Sequence, residues 1–580
     1  MVAVRRSAIR SGLPLGVGVD DRPAGAGRPP PGAQRSNARP DQQGTTMASS
    51  LTKDSVRPGT PGSEKTFFGH PRGLATLFMT EMWERFSYYG MKALLTVYLL
   101  SGGPNAGKDS MGGGLAMDVA TATVIVSVYS AMVYLLAMPG GWLGDRIWGP
   151  RKTVAVAAVT IMSGHIVLAL PGGQAPFFAG LALVAAGSGL LKANISTMVG
   201  HLYDGPNDPR RDGGFTIFYM GINAGAFFAP LAIGTVGQEI SWHLGFGMAA
   251  VGMAIGLAAF LLGTRHLSPK SNVVPKPLNT EERTSWLRKG LTSLIIATVF
   301  YGIVGVSGHF TLNWAMIPLT IIGLVVPAGV LLRIKRDKDL SRTEQSKMTG
   351  YIWFFVAAAV FWMIYDQGAS TVQAFGEGKT SSSLLGFDFP SSWYQSLNPL
   401  FIMALAPVFA WFWVWLNRRG KEPSTIVKFA MGLVLIGMSF FFFVIPLAMA
   451  VNGTTVSPMW LVGVYFIQTV GELCLSPVGL SVTTKMAPAK YASQMMGVWF
   501  LAVTAGDSIT SLLSNPAVAG VDLSGKGAVF GEALLAALAV PAARDLCPGG
   551  VHVVVVSSSL TVRTPGEGPH CRSHRARGCR

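Results

Sequence analysis

Residues 74–100 form an apolar run long enough to cross a bilayer, and that run holds Glu81, Glu84, Arg85 and Lys92. Each charge costs roughly 2.5–3.5 kcal/mol at the centre of a membrane helix. Their spacing shows how they are tolerated. Glu81, Glu84, Arg85, Tyr88 and Lys92 follow i, i+3, i+4, i+7, i+11, which places them on one face of a helix. A single charged stripe cannot face lipid; it faces a wet cavity or other charged helices. The chain is thereby constrained to a bundle of helices around a polar interior. An ion-pair cluster that only fixes packing is the alternative, but four titratable groups and a tyrosine on one face point to function.

Other apolar runs of spanning length recur along the chain: runs two to six are 120–143, 154–170, 176–199, one opened by Phe215, and 243–262; two further runs, 286–306 and 314–332, are counted apart; and runs seven to eleven are 352–368, 393–415, 426–450, 458–482 and a last one from Met496 to about Leu513. Half of the 580 residues are hydrophobic and 13% are charged, as a multi-pass membrane protein requires. The net charge of +17 does not call for a nucleic-acid partner. The basic residues cluster in the tails and in the loops that join runs 2–3, 4–5, 6–7 and 8–9, whereas loops 3–4 and 9–10 carry none. By the positive-inside rule this pattern puts the N-terminus in the cytoplasm.

Several runs carry isolated polar groups. Tyr129 lies in the second. Lys192 stands alone among apolar residues in the fourth, too far from either end to snorkel, so it lines a cavity. Tyr219 and Asn223 share a face of the fifth; helix–helix hydrogen bonding is their bland alternative. Asp366 closes the seventh, Asn398 lies in the eighth, Glu472 is the acid of the tenth, and Trp499 and Asp507 lie in the eleventh. Between runs two and three, Gly141, Asp145, Arg146, Gly149 and Arg151 mark a tight basic turn, with a faded copy at residues 416–421. No Ser/His/Asp or metal-binding constellation accompanies the spans, so neither an enzyme nor a metal site is expected. The four cysteines suggest no disulfide framework.

The stretch Glu81-x-x-Glu84-Arg85-Phe86-x-Tyr88-Tyr89-Gly90 resembles the first-helix signature of the proton-dependent oligopeptide transporter family, a branch of the major facilitator superfamily. The segments around Gly141–Lys152, Lys192–Asn194, Phe215–Phe227 and Gly471–Ser481 resemble further signatures of the same family, so the likeness runs from about Phe67 to Pro516. Two positions depart from it: Ala193 stands where the family has Pro, and Asp366 where it commonly has Glu. The resemblance implies an all-α membrane protein of the major facilitator fold, with two six-helix bundles and two extra helices between them, the last helix being doubtful. The corresponding layout is an N-terminal extension over 1–66, a first bundle over 67–265, a linker with two helices over 266–347, a second bundle over 348–541 and an atypical tail over 542–580. Residues 1–46 read as an extension upstream of a start at Met47, and the ending as a frameshift or truncation that removes the last helix.

The resemblance further implies a monomeric symporter in the bacterial inner membrane. It would import di- and tripeptides by alternating access, with protons as the coupling ion and no cofactor. It implies that Glu81, Glu84, Arg85, Asp366 and Lys192 couple protons, Asp366 releasing Lys92 when protonated. It assigns peptide binding to Arg85, Tyr88, Tyr89, Lys92, Tyr129, Lys192, Tyr219, Asn223, Asn398, Glu472 and Trp499, with Glu472 pairing with Lys192 when no peptide is bound. Charge agrees: a peptide is a zwitterion, and the first half offers cations where the second offers an acid. A facilitator carrying another solute (a drug, nitrate or an amino-acid-like molecule) and a non-functional truncated member are the alternatives.

Overall fold

The computed structural model describes residues 66–103, 113–205, 208–515, 552–556 and 559–563. The first half contributes six spans: α1 (Gly73–Leu100), α2 (Val119–Trp148), α3 (Pro150–Leu168), α4 (Gln174–Gly200), α5 (Arg211–Ile240) and α6 (Trp242–Gly263). Two helices follow, α7 (Thr280–Val306) and α8 (Asn313–Lys335). The second half contributes α9 (Arg342–Tyr365), α10 (Leu397–Arg418), α11 (Thr425–Met449), α12 (Met459–Met486) and α13 (Ala492–Ser514). Twelve of these helices are long and apolar enough to cross a membrane by composition, and α1 is the further span, set apart by its four charges. The protein is an all-α, multi-pass membrane protein. The doubtful last helix, residues 1–65 and most of the tail lie outside the described residues.

Local chemistry sets the helix ends. Asp118 opens α2 by accepting from the backbone of Thr121 at 2.9 Å. Reciprocal caps start α7 (Asn279 with Glu282) and α9 (Ser341 with Glu344). That cap explains why α9 begins ten residues before its apolar run: a polar first turn needs a cap, not hydropathy. Gly149, at φ +77°, breaks α2 from α3, and Pro150 opens the next helix. Two short antiparallel hairpins, Ser383–Leu384 with Phe387–Asp388 and His552–Val556 with Ser559–Arg563, are the strands among the described residues.

Each half has its own apolar core. Leu74, Leu77, Leu94, Ile161, Phe246 and Met253 fill the first; Tyr351, Phe361, Phe429, Val464, Met495 and Val498 fill the second. Within the first half α1 packs on α5 and α6, and α3 on α4; within the second α11 packs on α12, and α9 on α13. The halves meet where α13 lies along α2 and α10 against α5. The two extra helices, both apolar and long enough to span, differ in placement. α8 packs against α13 and α2, whereas Val304 is the one buried residue of α7.

Candidate functional site

The stripe on α1 is buried. Arg85 Nε lies 2.9 Å from Glu81 Oε1 and 2.5 Å from Glu84 Oε2, and Glu84 Oε1 accepts from Ser188 Oγ of α4 at 3.4 Å. Arg85 Nη2 has no hydrogen-bond partner among the described residues, which leaves one arm of the guanidinium fork for another acceptor. Two turns along, Lys92 Nζ donates to Asp366 Oδ1 at 3.1 Å. This pair joins the first half to the second.

The third cation is Lys192 on α4. Its ammonium lies 3.4 Å from the centre of the Tyr134 ring and 5.8 Å from that of Tyr88. Arg85 also faces Tyr88, at 5.4 Å. Tyr88 stacks on Tyr129 at 6.2 Å and meets Tyr89 edge-on at 5.1 Å. Three cations and an aromatic floor thus occupy the inner face of the first half.

The second half presents an acid. Glu472 Oε2 accepts from Tyr365 at 2.9 Å and from Asn398 Nδ2 at 3.0 Å. Asn398 is itself held by Thr469 at 3.1 Å. The Lys192–Glu472 pairing implied by the family resemblance is not present among the described residues. Two neutral donors occupy the Glu472 carboxylate, and the Lys192 ammonium rests on the Tyr134 ring.

Comparison with known proteins decides the family. The sequence profile described as "POT family" matches residues 151–524. The chain is 43% identical over 463 residues to the "Di-/tripeptide transporter" of Lactococcus lactis subsp. cremoris, covering 78% of this chain and 90% of that one. The chain belongs to the POT family. It is also 44% identical over 468 residues to the "Uncharacterized transporter YclF" of Bacillus subtilis (strain 168), covering 80% of this chain and 92% of the relative. Among solved structures, a peptide transporter POT in complex with sulfate matches with a TM-score of 0.74 at 41% identity, covering 83% of this chain and 96% of that one. A POT family transporter in complex with 5-aminolevulinic acid also matches with a TM-score of 0.74, at 33% identity and covering 83% and 97%.

Other positions singled out by the POT resemblance fall into two groups. Asn223 is buried on α5 and donates to the Tyr219 carbonyl at 3.0 Å, while the Tyr219 side chain is 46% exposed. Trp499 is buried, 3% exposed, and packs in the second half against Gly479, where no Cβ would fit beneath its ring.

The basic turn also has a definite place. Arg146 pairs with Glu282 of α7 at 2.7 Å, and Arg151 donates to the carbonyls of Leu267 and Ser268 at 3.3 Å. The Asp145 and Arg146 carbonyls accept from Lys276 and Leu278 at 2.9 and 3.2 Å. Gly141 lets α2 approach Ala193. Nearby, Asn194 donates to the Gly140 carbonyl at 3.0 Å, locking α2 to α4. The turn therefore grips the segment that leads into the extra helices.

Sequence reasoning did not single out Tyr134, Ser188 or Tyr365 as site residues. A tyrosine or serine in an apolar run is ordinary, and what matters here is the charged partner from another helix.

Proposed function

We propose that this chain is a proton-coupled symporter that imports di- and tripeptides across the cytoplasmic membrane by alternating access. The observation that carries the reading is the division of charge between the halves. Arg85, Lys92 and Lys192 stand on the first half and Glu472 on the second, joined across the interface by Lys92 and Asp366. A peptide carrying a carboxylate at one end and an ammonium at the other matches that dipole. Its carboxylate meets the open arm of Arg85 in a charge-assisted hydrogen bond, and its ammonium meets Glu472. The relative named a di-/tripeptide transporter supports the substrate class.

Proton coupling follows from the interface pair. Protonating Asp366 removes the charge that Lys92 donates to and loosens the tie between the halves. Glu81 and Glu84, both against Arg85, form a second proton-sensitive group that peptide binding to Arg85 would perturb. The basic loops support a cytoplasmic N-terminus in a bacterial inner membrane, and the family resemblance supports a monomer working without a cofactor.

Calorimetric titration of the purified protein with dialanine tests the substrate. Binding is expected for dialanine and not for N-acetylated, amidated dialanine, which lacks both charges. Arg85→Ala is expected to weaken binding by at least about tenfold, roughly 1.4 kcal/mol for a hydrogen bond to a charged partner. Equal affinity for the charged and capped peptides would overturn the reading.

A further inference from the structure

The proton-coupling reading leaves one buried acid unused. Asp507 lies in the middle of α13 and is 1% exposed. A carboxyl at that depth is costly without a partner. Its neighbours fix where it points. Gly506 meets α9 so closely that a Cβ there would lie 2.5 Å from the Ala359 carbonyl oxygen and 2.7 Å from the Met363 nitrogen. Thr510 donates to the Met363 carbonyl at 3.1 Å. Between these two contacts, α13 turns Asp507 toward the end of α9, where its carboxyl meets that of Asp366.

Among the described residues no cation forms an ion pair with Asp507; the Lys92 ammonium donates to Asp366. Asp507 Oδ2 has no hydrogen-bond partner among the described residues. The other groups around it are few. Lys92 comes from α1 and Lys192 from α4, and Tyr134 of α2 faces Lys92. Glu472 of α12 is engaged by Tyr365 and Asn398. From α8 come neutral contacts, Thr320 to Ser511 and the close approach of Gly323 to Ser508.

Two ionised carboxylates have no donor to offer each other. Facing one another beside a single ammonium, they carry one charge too many, and one proton between them supplies both the donor and the neutrality. We propose that Asp366 and Asp507 form a carboxyl pair that shares one proton beside Lys92, making Asp507 a further proton-coupling group. The proposal rests on the symport reading. In the proton-free state the pair presents two charges to Lys92; in the proton-holding state it presents one, and the tie between the halves weakens. Loss of the proton restores it.

The test has two arms. Infrared spectroscopy of the wild-type protein with isotope-labelled aspartate reads the pair without any transport. A protonated-aspartate carbonyl band is expected at neutral pH, and its absence would overturn the proposal even if Asp507 variants fail to fold. In proteoliposomes, Asp507→Asn is expected to move the pH of half-maximal dialanine uptake to the acid side by about one unit, because one carboxylate against Lys92 holds a proton less readily than two. Asp507→Glu is expected to restore the wild-type profile. Unchanged profiles in an Asp507→Asn variant that still binds dialanine would also overturn the proposal. Wild-type protein that shows the infrared band but no peptide uptake would count against the symport reading alone.

Discussion

Lys192 is the residue whose cost and use are most clearly separated. It has aromatic neighbours and no direct acid partner among the described residues. A membrane-embedded ammonium in that setting does little for stability. Lys192→Met is therefore expected to hold or raise thermal stability, by about 1 kcal/mol, while dialanine uptake falls at least tenfold. Concurrent loss of stability and uptake would mark the lysine as structural. At this scale the sequence was legible where charge interrupts hydropathy: Glu81, Glu84, Arg85, Lys92, Lys192, Asp366 and Glu472 all stand out against apolar neighbours. It was silent where a partner arrives from a distant helix. Nothing near Tyr365 shows that it donates to a carboxylate 107 positions later, and nothing near Trp499 shows that Gly479 takes its ring into the core.

At the scale of elements, close helix approach positions the stripe. A Cβ on Gly225 of α5 would lie 2.3 Å from the Met82 carbonyl and 3.0 Å from the Arg85 Cβ. Gly225→Val is expected to push α5 away from α1, displace Arg85 and lower both the thermal midpoint and the affinity for dialanine, by about 1–3 kcal/mol for overpacking. A variant with wild-type stability and affinity would show that α5 tolerates the shift. The linker after α8 forms another contact between elements. Asp337 accepts from Lys490 at 2.7 Å and from Tyr491 at 2.5 Å, fastening that linker to the loop between α12 and α13. Those hydrogen bonds, that from Lys490 foremost, hold the Asp337 carboxyl well below its ordinary range. A depressed carboxyl contributes stability above its unfolded value and loses it only as pH falls through the folded one. The tie is thus constant from neutral pH to mild acid. Asp337→Asn is accordingly expected to leave the pH profile of uptake unmoved, and a displaced profile would place proton sensing outside the bundle core. The elements themselves were legible from run length and loop charge. The contrast between α7 and α8 was not, since both are apolar runs and burial depends on which one meets α13 and α2.

The whole molecule is two packed halves tied mainly toward one end, opposite the basic turn. There Thr96 donates to the Ala369 carbonyl at 2.5 Å, Trp393 to Thr235 at 2.8 Å, and the Ser392 backbone to Gln238 at 2.9 Å. With Lys92 and Asp366 below them, these bonds tie the two halves together at that end. A membrane potential supplies about 2.3 kcal/mol per charge per 100 mV, and a pH unit adds about 1.4 kcal/mol. One proton entering under 100 mV and one pH unit can therefore drive several-hundredfold accumulation of a neutral peptide, about 3.7 kcal/mol in all. The most direct measurement is uptake of labelled dialanine into proteoliposomes holding the full chain, with and without an inward-directed proton gradient. The account predicts uptake that rises with the gradient, exceeds equilibration and is competed by other dipeptides. Uptake from well-folded protein that stops at equilibration and ignores the gradient would contradict it.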